Sequence, residues 1–130
     1  MTLAYWMILA AAVVPYFAIV YAKLAGGGAA TYDNSAPRTQ MDSLPPQRQR
    51  AYWAQLNGFE AFPPFAAAVI VAHVAGAAQP WGDSLAMTFV VLRVIYTALY
   101  IYGKPTSRSV IWTAGFACVV GLFVAAATAG

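Results

Sequence analysis

Charge is scarce in this chain. Only 8% of its 130 residues are charged, and just four are acidic. Soluble domains carry about 25% charged residues. With 62% hydrophobic residues and a mean hydropathy of +0.64, a soluble core of this size cannot hide the apolar surface, so lipid is the expected solvent. Cysteine is nearly absent as well. The single Cys118 excludes an intrachain disulfide, and no metal-ligand spacing exists, so Cys118 reads as a small apolar packing residue. No basic segment precedes the first apolar stretch, which exceeds the about 7–15 residues of a signal-peptide core. A retained helix is therefore expected there. No internal repeat is evident, and residues 1–130 read as one domain.

What is present is a set of long apolar runs. Four windows reach the roughly 20 residues a helix needs to cross about 30 Å of hydrocarbon. They lie at about 3–25, 51–78, 84–102 and 108–129. The expected fold is an all-α integral membrane four-helix bundle. Trp6, Trp53, Trp81 and Trp112 fall near the window ends, as an interfacial aromatic belt requires.

Basic residues set the expected orientation. Lys23, Arg38, Arg48 and Arg50 surround the loop after the first window, and Lys104 and Arg108 the loop after the third. The positive-inside rule places both termini outside and loops 26–50 and 103–107 in the cytoplasm. Glycines at 26–28 end the first helix, and Pro37, Pro45 and Pro46 prevent a continuous helix through the long loop. That loop reads either as a solvated linker or as a lid or part of an anion site, because its arginines lie beside the mouth of the second helix.

One basic residue, Arg93, sits in the middle of the third window, where an ionisable group costs about 2.5–3.5 kcal/mol or more. Glu60 is the carboxylate expected at membrane depth. Counted from the cytoplasmic ends of their windows, both lie about nine residues in, or ~14 Å. A Glu60–Arg93 pair is the expected way to bury both. Asn57 shares a helical face with Glu60. Arg93, Tyr96 or Thr97, Tyr100 and Lys104 form one polar stripe running to the cytoplasmic mouth. Such a cluster can serve as interhelical glue or as the wall of an anion-receptive pocket. Pro63 and Pro64 are expected to kink the second helix and open space beside Glu60, and Pro15 to bend the first. His73, thirteen residues from Glu60, points to another face and is expected to pack or hydrogen-bond between helices.

Two stretches carry a family resemblance. "QRQRAYWAQLNGFEAFPPFAAAV" and "LRVIYTALYIYGKPTSRSV" resemble the helix 2 and helix 3 to helix 4 signatures of the MAPEG family, membrane-associated proteins in eicosanoid and glutathione metabolism. Asn57, Glu60, Pro64 and Phe65, then Arg93 and Tyr100, then Arg108 and Ser109 match its pattern. The resemblance implies a homotrimer with sites at subunit interfaces near the cytoplasmic surface. It implies a thiol cosubstrate, glutathione or another low-molecular-weight thiol, and a lipophilic second substrate. By resemblance, Arg108 and Ser109 are the catalytic candidates that stabilise the thiolate. Asn57, Glu60, Arg93, Tyr96 and Tyr100 are the candidates that bind or support the thiol. Where glutathione-using members carry two arginines before the Asn, this chain has Leu56 and Trp53. The extended loop "DNSAPRTQMDSLPPQRQR" looks like the bacterial branch, which implies a bacterial inner membrane.

The expected activity is a thiol-dependent transferase or peroxidase. The alternatives are a small proton-coupled transporter and a non-catalytic membrane scaffold. The expected partners are the bilayer, a lipophilic small molecule and further copies of the chain, with no nucleic acid and no metal.

Overall fold

The computed structural model describes residues 1–130, apart from the side chain of Ala29. The chain is all-α: α1 Leu3–Leu24, α2 Pro37–Met41, α3 Pro46–Val74, α4 Gln79–Ile101 and α5 Pro105–Ala127. A 3₁₀ segment, Ala25–Ala30, follows α1 and breaks at Gly26 and Gly27, whose φ angles are 61° and 80°.

Local sequence explains the ends. Thr2 caps α1, its hydroxyl accepting from the Tyr5 N–H at 3.3 Å. Pro46 and Pro105 stand at the first positions of α3 and α5, where a missing N–H costs nothing. The chain leaves α3 and α4 through left-handed glycines, Gly76 (φ 81°) and Gly103 (φ 68°). Behind each glycine the amides of Ala77 and Lys104 reach back to the carbonyls of Ala72 (2.9 Å) and Leu99 (3.0 Å). These six-to-one bonds satisfy carbonyls that each helix end leaves open.

Small residues hold the long helices together. α1 buries Ala4, Ala11, Pro15, Ala18 and Ala22 along one stripe, and α3 answers with Ala51, Ala54 and Gly58. Small side chains let two backbones approach closely. A Cβ on Gly58 would stand 2.6 Å from Cγ of Pro15, so glycine is required at this crossing. Larger residues fill the centre. Phe65 and Phe89 stack with ring centroids 4.0 Å apart, and Leu122 and Val69 are fully buried beside them. At the end opposite the long loop, Asp83 of α4 accepts from the Ala4 N–H at 2.8 Å, supplying a cap to α1 from 79 residues away.

Three helical stretches are long and apolar enough to cross a membrane: Leu3–Gly28, Gln79–Ile101 and Pro105–Ala127. α3 is longer, at 29 residues, but interrupts its apolar run with Asn57, Glu60, Pro63, Pro64 and His73. It also begins at Pro46, five residues before the expected window, because its first turns are the polar stretch "QRQR". Hydropathy marks where a helix meets lipid, not where it starts. Pro63 and Pro64 do not break α3, which runs through both.

Candidate functional site

Arg93 is the one buried charged side chain among the described residues, with 6% of its surface exposed. Lipid-compatible packing demands that its donors find partners. Its Nη2 donates to Oδ1 of Asn57 on α3 at 2.9 Å. Its guanidinium lies 4.2 Å from the centroid of the Tyr96 ring, a cation–π contact on its own helix. The expected Glu60–Arg93 ion pair is not the one formed. Asn57 and Glu60 are three residues apart, about 4.5 Å of helical rise, and Asn57 is the one level with Arg93. Glu60 is exposed.

Glu60, Asn57 and Arg93 nevertheless share one cavity of about 150 Å³ between α3, α4 and α5. Its other walls are apolar: Ala61 and Pro64 from α3, Phe89 from α4, and Trp112, Gly115, Phe116 and Val119 from α5. Trp112 and Phe116 stack at 5.5 Å. Gly115 forms the floor, where a Cβ would meet the Phe89 ring at 3.8 Å, an ordinary van der Waals contact. The α5 wall was not singled out in the sequence as a site. Its signal is the spacing 112, 115, 116, 119, one helical face, which any packing stripe shares.

From Arg93 a ladder of rings and cations runs along α4. Tyr96 meets Tyr100 edge to face at 5.7 Å, and the Arg108 guanidinium of α5 lies 4.2 Å over the Tyr100 ring. Arg108 stands one turn before Trp112 on α5, so the ladder ends beside the cavity wall. Ser109 is set apart. It is exposed, and its hydroxyl donates to the Pro105 carbonyl at 3.0 Å. His73 lies away from the cavity, its ring 4.6 Å from that of Tyr5.

Arg48 and Arg50, read in the sequence as possible anion ligands, have other duties. Arg48 donates from Nε to the Ala22 carbonyl (2.6 Å) and from Nη2 to the Lys23 carbonyl (2.8 Å). Arg50 Nε donates to the Ile101 carbonyl at 3.0 Å. Both place a cation at the negative end of a helix, α1 and α4 respectively. The start of α3 thus ties down two C-termini.

Apolar helices around a polar interhelical cavity define an integral membrane protein of the all-α class. The chain belongs to the MAPEG family, whose family model matches residues 3–128. No curated protein and no solved structure matches it.

Proposed function

We propose that the cavity between α3, α4 and α5 binds part of a low-molecular-weight thiol, glutathione or a related peptide thiol, for transfer to, or reduction of, a lipophilic substrate. The observation that carries this reading is the pairing of charges left open in one cavity. Arg93 spends one donor on Asn57 and keeps others, while the Glu60 carboxylate has no partner among the described residues. A zwitterionic peptide thiol complements both, its ammonium meeting Glu60 and a carboxylate meeting guanidinium. Arg108, whose guanidinium makes no hydrogen bond among the described residues, is free to stabilise a thiolate by its charge. Tyr100 holds it in place from below. Ser109 is the weaker of the two catalytic candidates, because its proton already serves Pro105.

The cavity's roughly 150 Å³ is smaller than the roughly 300–1,000 Å³ of complete small-molecule sites. Glu60, Trp53, Leu56 and Phe59 face outward on α3. An ionisable group facing lipid is costly. In this proposal a second copy of the chain covers that face and completes the site, in a homotrimer of subunits that cross the membrane four times. The basic loops lie in the cytoplasm, and the bilayer is a bacterial inner membrane.

The test is glutathione binding to the detergent-solubilised protein by calorimetry. Binding at millimolar or lower concentration, lost in Arg93→Leu and Asn57→Leu, supports the proposal. Binding of neither glutathione nor any other low-molecular-weight thiol at millimolar concentration overturns it.

One observation favours a second reading. A carboxylate not held by an arginine can exchange protons, and Glu60 is exposed rather than paired with Arg93. A proton-coupled transporter predicts pH-dependent flux in proteoliposomes that vanishes in Glu60→Gln. Flux unaffected by that substitution excludes it.

A further inference from the structure

The segment that follows α1 lines a second polar cavity, open to solvent and distinct from the interhelical one. It measures about 240 Å³ and is bounded by Thr31 and Tyr32 on one side, Gln40 and Ser43 on another, and Arg48 at the start of α3. The hydrogen-bond inventory of its walls is lopsided. Thr31 donates its hydroxyl proton to the Gly28 carbonyl at 3.3 Å, and Ser43 donates to the Gln40 carbonyl at 3.0 Å. Gln40 accepts from the Asp33 N–H through Oε1 at 3.0 Å, which fixes its amide orientation and leaves Nε2 with two unused protons. The Tyr32 hydroxyl has no partner among the described residues but is sealed from solvent, so it does not face the cavity's contents. Arg48 spends Nε and Nη2 on α1 carbonyls and retains Nη1. Gln40 Nε2 and Arg48 Nη1 are therefore donors without a partner among the described residues, and the second carries a positive charge.

The free amide and guanidinium protons match the cavity to an acceptor-rich, negatively charged group. The surroundings agree. Lys23 Nζ lies 5.0 Å from the Tyr32 ring centroid, adding a second cation at the rim. The two acidic residues of the segment, Asp33 and Asp42, do not line the cavity. The position is also telling. The apolar span Leu3–Gly28 ends three residues before Thr31, which sets the cavity at the level of lipid headgroups.

We infer that this cavity is a phosphate-binding site, its oxygens received by the Gln40 amide and the Arg48 guanidinium. The phosphate belongs either to an anionic lipid headgroup or to a soluble phosphate-bearing molecule. Bound phosphate would bridge the end of α1 to the start of α3 through Arg48, and so order the loop.

The experiment uses the full chain in nanodiscs. In one arm, phosphatidic acid is mixed into phosphatidylcholine and its retention is read by native mass spectrometry. In the other, inorganic phosphate is titrated into protein held in phosphatidylcholine alone. Gln40→Glu is the decisive variant. It keeps the acceptor for Asp33 N–H and replaces the donor amide with a repelling carboxylate. Arg48→Gln removes the cation and keeps an amide donor. Each is expected to weaken binding about tenfold or more. Preferential retention of phosphatidic acid, reduced in both variants, supports the site with lipid as its source. Phosphate binding without lipid preference, reduced in both variants, supports it with a soluble source. No binding of either probe at millimolar concentration, or binding unchanged in both variants, overturns the inference.

Discussion

Arg93 and Asn57 join α4 to α3 through a single hydrogen bond of 2.9 Å, at the one place where a charged side chain is buried. Asn57 satisfies the cation without neutralising it, so the charge stays available to a ligand. Removing the acceptor leaves a buried guanidinium short of a partner, which costs about 1.5–3 kcal/mol. Asn57→Ala is therefore expected to lower the thermal stability of the purified protein by that amount. Asn57→Asp keeps an oxygen at the contact and is expected to retain stability. Equal melting of Asn57→Ala and wild type would exclude this role.

The crossing of α1 and α3 rests on Gly58 against Pro15. A methyl group at 58 meets the rigid proline ring at 2.6 Å, and the helices must separate to admit it. Gly58→Ala is expected to destabilise by about 1–3 kcal/mol, the range for overpacked cores. Adding Pro15→Ala removes the ring and is expected to recover part of the loss. The check is a double-mutant cycle of denaturant unfolding, in which the two substitutions are non-additive.

Much of the fold is legible in the sequence because its signals are local. Apolar runs and the glycines at 26–28 announce helices and their ends one by one. The site is less legible because it depends on offsets between helices. Depth counted from a hydropathy window cannot separate Asn57 from Glu60, which differ by less than one turn. Arg48 and Arg50 look like free loop cations, since nothing in their neighbourhood reveals that the C-termini of α1 and α4 end within reach. Trp112, Gly115 and Phe116 carry no polar signal at all. They become a site wall only when Arg93 is placed opposite them.

Arg48 and Arg50 give a prediction about local order. Arg48→Ala removes two hydrogen bonds to the last carbonyls of α1, and Arg50→Ala removes one from α4. Losses of about 1–2 kcal/mol and about 0.5–1.5 kcal/mol are expected. Hydrogen exchange is expected to quicken in the last turn of α1 for the first variant and of α4 for the second. Arg48→Lys should recover little, because a lysine has no planar fork to span two adjacent carbonyls. Faster exchange spread over all helices in Arg48→Ala would mean global unfolding and not a lost cap.

Gly115 and Arg108 separate cavity volume from charge in the proposed thiol site. Gly115→Leu fills the floor against Phe89 and is expected to abolish thiol binding, while Trp53→Ala, outside the cavity lining, leaves the cavity volume unchanged. Arg108→Ala keeps the cavity and removes the cation. A nearby cation favours the thiolate, so its loss raises the pKa of the bound thiol. The inflection of thiolate formation with pH should move upward by about one unit, cutting the thiolate fraction at neutral pH about tenfold. Ultraviolet absorbance of the thiolate in the bound complex reads this directly. Tyr100→Phe keeps the ring beneath Arg108 and is expected to leave the inflection in place, whereas Tyr100→Leu is expected to move it part of the way. An inflection unchanged in Arg108→Ala would remove Arg108 from the chemistry and return the role to Ser109 or to a neighbouring subunit.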